Sequence, residues 1–116
     1  MKSSDYPDRF NLELALTRFA EDRELLNTAI AIYNEEAANH LLTIRKAISE
    51  KDWEKATIYT HTLKGESGAV GAVKAHIESD FLEKALRNKE FTKVSRMYDQ
   101  VAEEISIALK VLPEIE

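Results

Sequence analysis

The residues best suited to chemistry in this sequence are His61 and three that follow it closely, Lys64, Gly65 and Gly68. In a helix, residues three, four and seven positions apart share one face. An imidazole can act as a nucleophile or carry a proton near neutral pH, and a neighbouring ammonium group attracts anions. A helix face that presents both groups suits a site that receives an anion such as phosphate.

The chain has three glycines, and all of them lie between positions 65 and 71. A helical wheel at about 100° per residue predicts a core face opposite His61, made of Ala56, Tyr59, Leu63, Ser67 and Val70. Glycine inside a helix costs about 1 kcal/mol relative to alanine, so Gly65 and Gly68 need a reason on the exposed face. We expect them to leave open space for a group that approaches His61, and we expect Gly71 to end the helix. An ordinary exposed histidine before a helix end is the alternative, but it does not explain why the glycines align with His61.

Length and composition exclude several classes of protein. The chain has 116 residues, with 16 basic against 21 acidic side chains and a net charge of −5. This length fits one domain, and the negative charge argues against a nucleic-acid-binding protein. No apolar run approaches the roughly 20 residues that a membrane-spanning helix needs. The absence of cysteine excludes disulfides and thiolate chemistry, and with the absence of a signal peptide it favours a cytoplasmic protein.

Apolar residues recur every three or four positions from Phe10 onward, and the two prolines, Pro7 and Pro113, lie near the ends. This periodicity predicts an all-α fold with five helices. The predicted helices run from Phe10 to about Ala20, from Arg23 to Ser49, from Trp53 into the glycines, from Val73 to about Arg87–Lys89, and from Phe91 to the break at Pro113. Asp22 and Asp52 are expected to cap the second and third helices.

These elements predict an antiparallel four-helix bundle with a short additional N-terminal helix. We assign residues 10–113 to the bundle domain. Residues 1–9 are polar and show no periodicity, so we expect a tail or the stub of a linker there. Residues 114–116, which follow the proline break, are expected to form a C-terminal tail.

The segment from His61 to Ala72 resembles the phosphorylation-site signature of histidine-containing phosphotransfer (HPt) domains. That signature is roughly His-x-[Leu/Ile/Val]-Lys-Gly, with a further glycine ten residues after the histidine. A hydrophobic residue and a Glu or Gln follow on the next helix, and Leu82 and Glu83 match that pair. The resemblance extends from about Phe10 to Leu112, which is nearly the whole chain.

The resemblance implies that His61 accepts a phosphoryl group from an aspartyl phosphate of a response-regulator receiver domain and passes it to a second receiver aspartate. Lys64 would offset the added charge, and Gly65 and Gly68 would give the receiver access. The receiver would supply Mg²⁺, so we expect no metal and no cofactor in this chain. For Glu83 two interpretations stay open: a carboxylate that orients the imidazole, or an ordinary solvated helix residue.

The sequence contains no glycine-rich nucleotide-binding loop, and 116 residues leave no room for an ATP-binding domain. We therefore expect a phosphoryl carrier without an ATP-dependent kinase activity of its own. A sensor kinase, in the same or another chain, is a further expected partner, and both a free-standing carrier and a module of a hybrid sensor kinase stay open. The alternative function is a catalytically silent bundle that docks receiver domains, but the pairing of His61 with Lys64 argues against it.

Overall fold

The computed structural model describes residues 2–115, which form five α-helices. We number them α1 (Leu12–Arg18), α2 (Arg23–Ser49), α3 (Trp53–Ala69), α4 (Val73–Arg87) and α5 (Phe91–Val111). Helix α3 packs against α2 and α4, α5 closes the bundle against α4 and α2, and α1 contacts both α2 and α3. The predicted architecture, a four-helix bundle with a short additional N-terminal helix, is confirmed.

Helices α2 and α3 begin where the sequence predicts because an aspartate precedes each of them. The carboxylates of Asp22 and Asp52 accept hydrogen bonds from the backbone N–H three residues later, at 3.1 and 3.2 Å. Each bond satisfies a donor that has no partner inside the helix. Asn11 caps α1 in the same way at 3.0 Å. Helix α1 therefore begins at Leu12, whereas we had predicted a start at Phe10.

The core lies between the four long helices and consists mainly of aliphatic side chains. Besides alanines, those with no exposed surface are Leu26, Ile44, Leu63, Leu82, Val94, Val101 and Ile105. The predicted core face of α3 is buried at four positions, Ala56, Leu63, Ser67 and Val70. Tyr59, the fifth predicted position, is only partly buried but packs against this core, and its ring lies 5.6 Å from that of His40 of α2. Thr60 is the fully buried residue at this level of the helix.

Gly71 ends α3, as predicted, and its backbone has a φ of +79°. The N–H of Ala72 donates to the carbonyl of Ser67 at 2.9 Å, and the N–H of Gly71 donates to that of Gly68 at 3.2 Å. This pair of bonds is a Schellman motif, which favours glycine at the left-handed position. A Cβ on Gly71 would also lie 2.6 Å from the carbonyl oxygen of Asn11. The turn between α3 and α4 therefore needs glycine for two reasons.

The two predicted tails pack against the bundle. Arg9 forms an ion pair with Glu104 of α5, with 3.0 Å between Nε and Oε1. Ile115 is only 5% exposed, and its carbonyl oxygen accepts a hydrogen bond from α2 at 2.8 Å. These contacts join residues more than 90 positions apart, so local periodicity could not reveal them. Met1 and Glu116, which belong to the predicted tails, lie outside the described residues.

Candidate functional site

His61 lies in the middle of α3 with 61% of its side chain exposed. The opposite face of the helix is buried, since Leu63 and Ser67 have no exposed surface. The ring turns one edge towards α4, where Nδ1 lies 3.0 Å from Oε2 and 3.2 Å from Oε1 of Glu83. Within residues 2–115 no hydrogen-bond partner is found for Nε2. The exposed imidazole is thus anchored through one nitrogen only.

Glu83 lies at the centre of a cluster of charged and polar side chains and is only 5% exposed. Its partners in this cluster are His61, Lys64 and Arg87. Lys64 places Nζ 2.7 Å from Oε1, and Arg87 places Nη2 and Nε at 2.6 and 2.8 Å from Oε2. Burial by itself raises the pKa of the Glu83 carboxyl. The hydrogen bonds from its three nitrogen-bearing neighbours outweigh burial and hold that pKa below its usual range. Glu83 is therefore an ionised carboxylate at neutral pH.

The charge of Glu83 decides the tautomer of His61. An ionised carboxylate only accepts hydrogen bonds, so at a separation of 3.0 Å the proton must lie on Nδ1 of His61. In the neutral imidazole the other nitrogen then carries the lone pair. In the described part of the chain, Nε2 is thus the ring nitrogen that has no partner and whose lone pair is available.

Lys64 contacts a second carboxylate on α4. Its Nζ lies 3.4 Å from Oδ1 of Asp80, whose Oδ2 is 2.8 Å from Nζ of Lys84. The pKa of Lys64 is raised, mainly by its hydrogen bond to Glu83. The pKa of Asp80 is lowered, first by the hydrogen bond from Lys84. The ammonium group of Lys64 is thus charged at neutral pH and held against α4.

The two glycines next to His61 have different surroundings. A Cβ on Gly65 would meet no atom within 4 Å, so the space there is open as predicted. At Gly68 the prediction of open space is wrong, because a Cβ would lie 2.9 Å from Nδ1 of His76. That same Nδ1 lies 2.9 Å from the carbonyl oxygen of Lys64. Gly68 therefore lets the ring of His76 pack against the backbone of α3.

The structure adds three residues that the sequence analysis did not assign to the site: Asp80, Arg87 and His76. The sequence contained a signal for Asp80 and Arg87, because each lies four residues from an oppositely charged residue on the same helix. The partner of Asp80 is Lys84, and the partner of Arg87 is Glu83. His76 had no such signal. Glu66 of α3 contacts α2 instead of the site, with its Oε1 2.7 Å from Nδ1 of His40.

Comparison with known families decides the identity of this bundle. The model of the Hpt domain matches residues 28–110, which include α3, α4, most of α2 and nearly all of α5. The chain belongs to the Hpt domain family. Histidine phosphotransfer in phosphorelay signalling is therefore the function of this domain, as the resemblance implied. Members of the family work with receiver domains and kinases.

Individual relatives agree with this assignment. The fold is similar to that of histidine-containing phosphotransfer protein B (HptB) from Pseudomonas aeruginosa PAO1, with a TM-score of 0.83, 16% identity, and 91% of this chain and 92% of that one covered. A rice protein described as a histidine-containing phosphotransfer protein superposes with a TM-score of 0.66 at 16% identity, covering 76% and 66% of the two chains. The phosphorelay intermediate protein rdeA of Dictyostelium discoideum is 26% identical over 91 residues, which are 78% of this chain. The Hpt chain spans about a third (34%) of the length of that relative.

Across residues 2–115, no helix combines the length and the apolar character needed to cross a membrane.

Proposed function

We propose that His61 is the phosphoryl-accepting residue, which takes the group from an aspartyl phosphate of one receiver domain and passes it to an aspartate of another. The observation that carries this proposal is the contact between the exposed imidazole and the buried, ionised carboxylate of Glu83. In the neutral imidazole this contact holds the proton on Nδ1, so that the lone pair lies on Nε2, away from Glu83.

The step balances in atoms and charge. The lone pair of Nε2 attacks phosphorus, an N–P bond forms, and the P–O bond to the receiver aspartate breaks with its electron pair leaving on the carboxylate. Nδ1 keeps its proton throughout, so the phosphorylated ring is formally cationic. Glu83, already 3.0 Å from Nδ1, would stabilise that positive charge. The second transfer reverses these changes on another receiver.

Lys64 and Gly65 would assist from the same helix face. Phosphoryl transfer depends mainly on positioning and on neutralising charge. Lys64 is positively charged at neutral pH and lies three residues from His61 in the sequence, and its ammonium can donate a charge-assisted hydrogen bond to a phosphoryl oxygen. The open space at Gly65 would admit the loops of the receiver. In this proposal Mg²⁺ belongs to the receiver, and the domain itself contributes no metal.

Incubation with a receiver carrying radiolabelled aspartyl phosphate tests the proposal. The wild-type domain is expected to take up label that is acid-labile and base-stable, as phosphohistidine is, and His61→Gln is expected to take up none. His40→Gln is the matched control because it removes another imidazole that contacts α3, through Glu66 and not through the site, and it should keep the label. Uptake by His61→Gln would contradict the assignment of the site. Binding of the receiver without uptake by the wild type would instead favour the docking-only alternative.

A further inference from the structure

Lys64 is shared between two carboxylates before any phosphoryl group arrives. Its Nζ is 2.7 Å from Oε1 of Glu83 and 3.4 Å from Oδ1 of Asp80. Only 22% of the Lys64 side chain is exposed, so the ammonium group lies along α4 rather than in free solvent. An ammonium has three N–H donors, and two of them point at these carboxylates.

The two carboxylates have different relations to His61. Glu83 contacts the ring directly at 3.0 Å, so it cannot be removed without loss of the anchor. Asp80 has no contact with His61 among residues 2–115, and its link to the site runs through Lys64. Its other oxygen is bound by Lys84 at 2.8 Å. Asp80 can therefore influence the chemistry without touching the reacting atoms.

The charges of the cluster show what this influence is. Lys64, Lys84 and Arg87 carry three positive charges against two negative charges on Asp80 and Glu83. The net charge of +1 is all that the cluster offers to a phosphoryl group that brings about −2. The phosphoryl group on His61 must therefore share Lys64 with carboxylates that already bind it.

We propose that Asp80 is a positioning residue that weakens the hold of the domain on the phosphoryl group by competing for Lys64. The inference rests on the proposed role of His61. Competition makes the phosphohistidine less stable than an unopposed lysine would make it. The phosphoryl group is then passed on more readily to the next receiver, as a carrier requires.

The equilibrium of phosphoryl transfer between receiver and domain tests this inference. At fixed concentrations the label divides between the two proteins, and the ratio gives the equilibrium constant. Asp80→Asn keeps the size of the side chain and removes its charge. It is expected to shift the equilibrium about threefold towards the phosphorylated domain, the scale of one partly exposed ion pair. Glu78→Gln removes a carboxylate from the same helix that has no contact with Lys64 in the described part of the chain, and it should leave the equilibrium unchanged.

Two further variants separate competition for Lys64 from a general effect of charge. Asp80→Glu keeps the carboxylate and should stay near the wild-type equilibrium. In a Lys64→Gln background, Asp80→Asn should have no effect, because the acid acts through the lysine. An unchanged equilibrium in Asp80→Asn, or an equal shift with and without Lys64, would overturn the inference. Failure of the wild type to take up label would refute the proposed function itself, so the two failures are distinguishable.

Discussion

Replacing Gly65 with alanine is expected to stabilise the protein and, at the same time, to impair phosphotransfer. Alanine is about 1 kcal/mol more favourable than glycine inside a helix. Gly65 lies within α3, and a Cβ there would meet no atom within 4 Å, so no clash offsets the gain. For a domain of this length, about 1 kcal/mol raises Tm by roughly 3–6 °C.

We expect this substitution to impair phosphotransfer because it hinders the approach of the receiver domain. Gly65 is exposed and lies one helical turn beyond His61. A side chain there would occupy the space through which the active site of the receiver approaches Nε2. The effect should grow with size, so Gly65→Ala is expected to slow transfer and Gly65→Leu to block it. Both variants should remain folded, because leucine and alanine are both strong helix formers.

Thermal unfolding followed by circular dichroism and initial rates of label transfer measure the two effects separately. Gly68→Ala is the matched control, since it makes the same change one turn later in α3. There the Cβ would lie 2.9 Å from Nδ1 of His76, so the ring must move and the gain in Tm should be smaller or reversed. Normal transfer rates in Gly65→Leu would refute the access argument, and a lower Tm in Gly65→Ala would refute the helix-propensity argument.

Two further predictions concern the stability of the fold at Gly71 and at Glu83. Gly71→Ala should lower the free energy of unfolding by more than about 1 kcal/mol, because φ is +79° and the new Cβ would lie 2.6 Å from the carbonyl oxygen of Asn11. Chemical denaturation measures this loss of stability, and an unchanged midpoint would contradict the turn geometry. Glu83 has a lowered pKa in the folded domain, so its contribution to stability is present above the usual carboxyl range and is lost as pH falls through the folded pKa. The wild type should therefore lose stability relative to Glu83→Gln between neutral pH and about pH 3, and a difference that is constant over this range would show that ionisation of Glu83 does not stabilise the fold.

The helices could be predicted from the sequence because their determinants are local. Apolar residues at helical spacing define the buried stripe of α2 and α5, and the caps at Asp22 and Asp52 define where two helices begin. The exposed position of His61 follows from the same reasoning applied to a single helix. The packing of the N-terminal segment could not be predicted in this way, because Arg9 is held by an ion pair with Glu104, which lies far away in the sequence.

The surroundings of Gly68 and the role of Glu83 could not be predicted in this way. A helical wheel shows in which direction a residue points, but it does not show what the neighbouring helix places there. Gly68 faces the same side as His61, and only the position of α4 brings His76 against it. Likewise, Glu83 is buried rather than solvated because α4 turns it towards Lys64 and His61. Both outcomes depend on the register between α3 and α4.

That register follows from the turn at Gly71. Three contacts of the site pair residues that are equally distant from Ala72 on its two sides. His61 and Glu83 lie eleven positions from it, Lys64 and Asp80 eight, and Gly68 and His76 four. Two α-helices have the same rise per residue, so residues equally distant from a tight antiparallel turn lie at the same level. The Schellman motif fixes the centre of this symmetry, and the positive φ that it requires is provided by Gly71. Gly71, which takes no part in the chemistry, therefore determines which residues of α4 face His61.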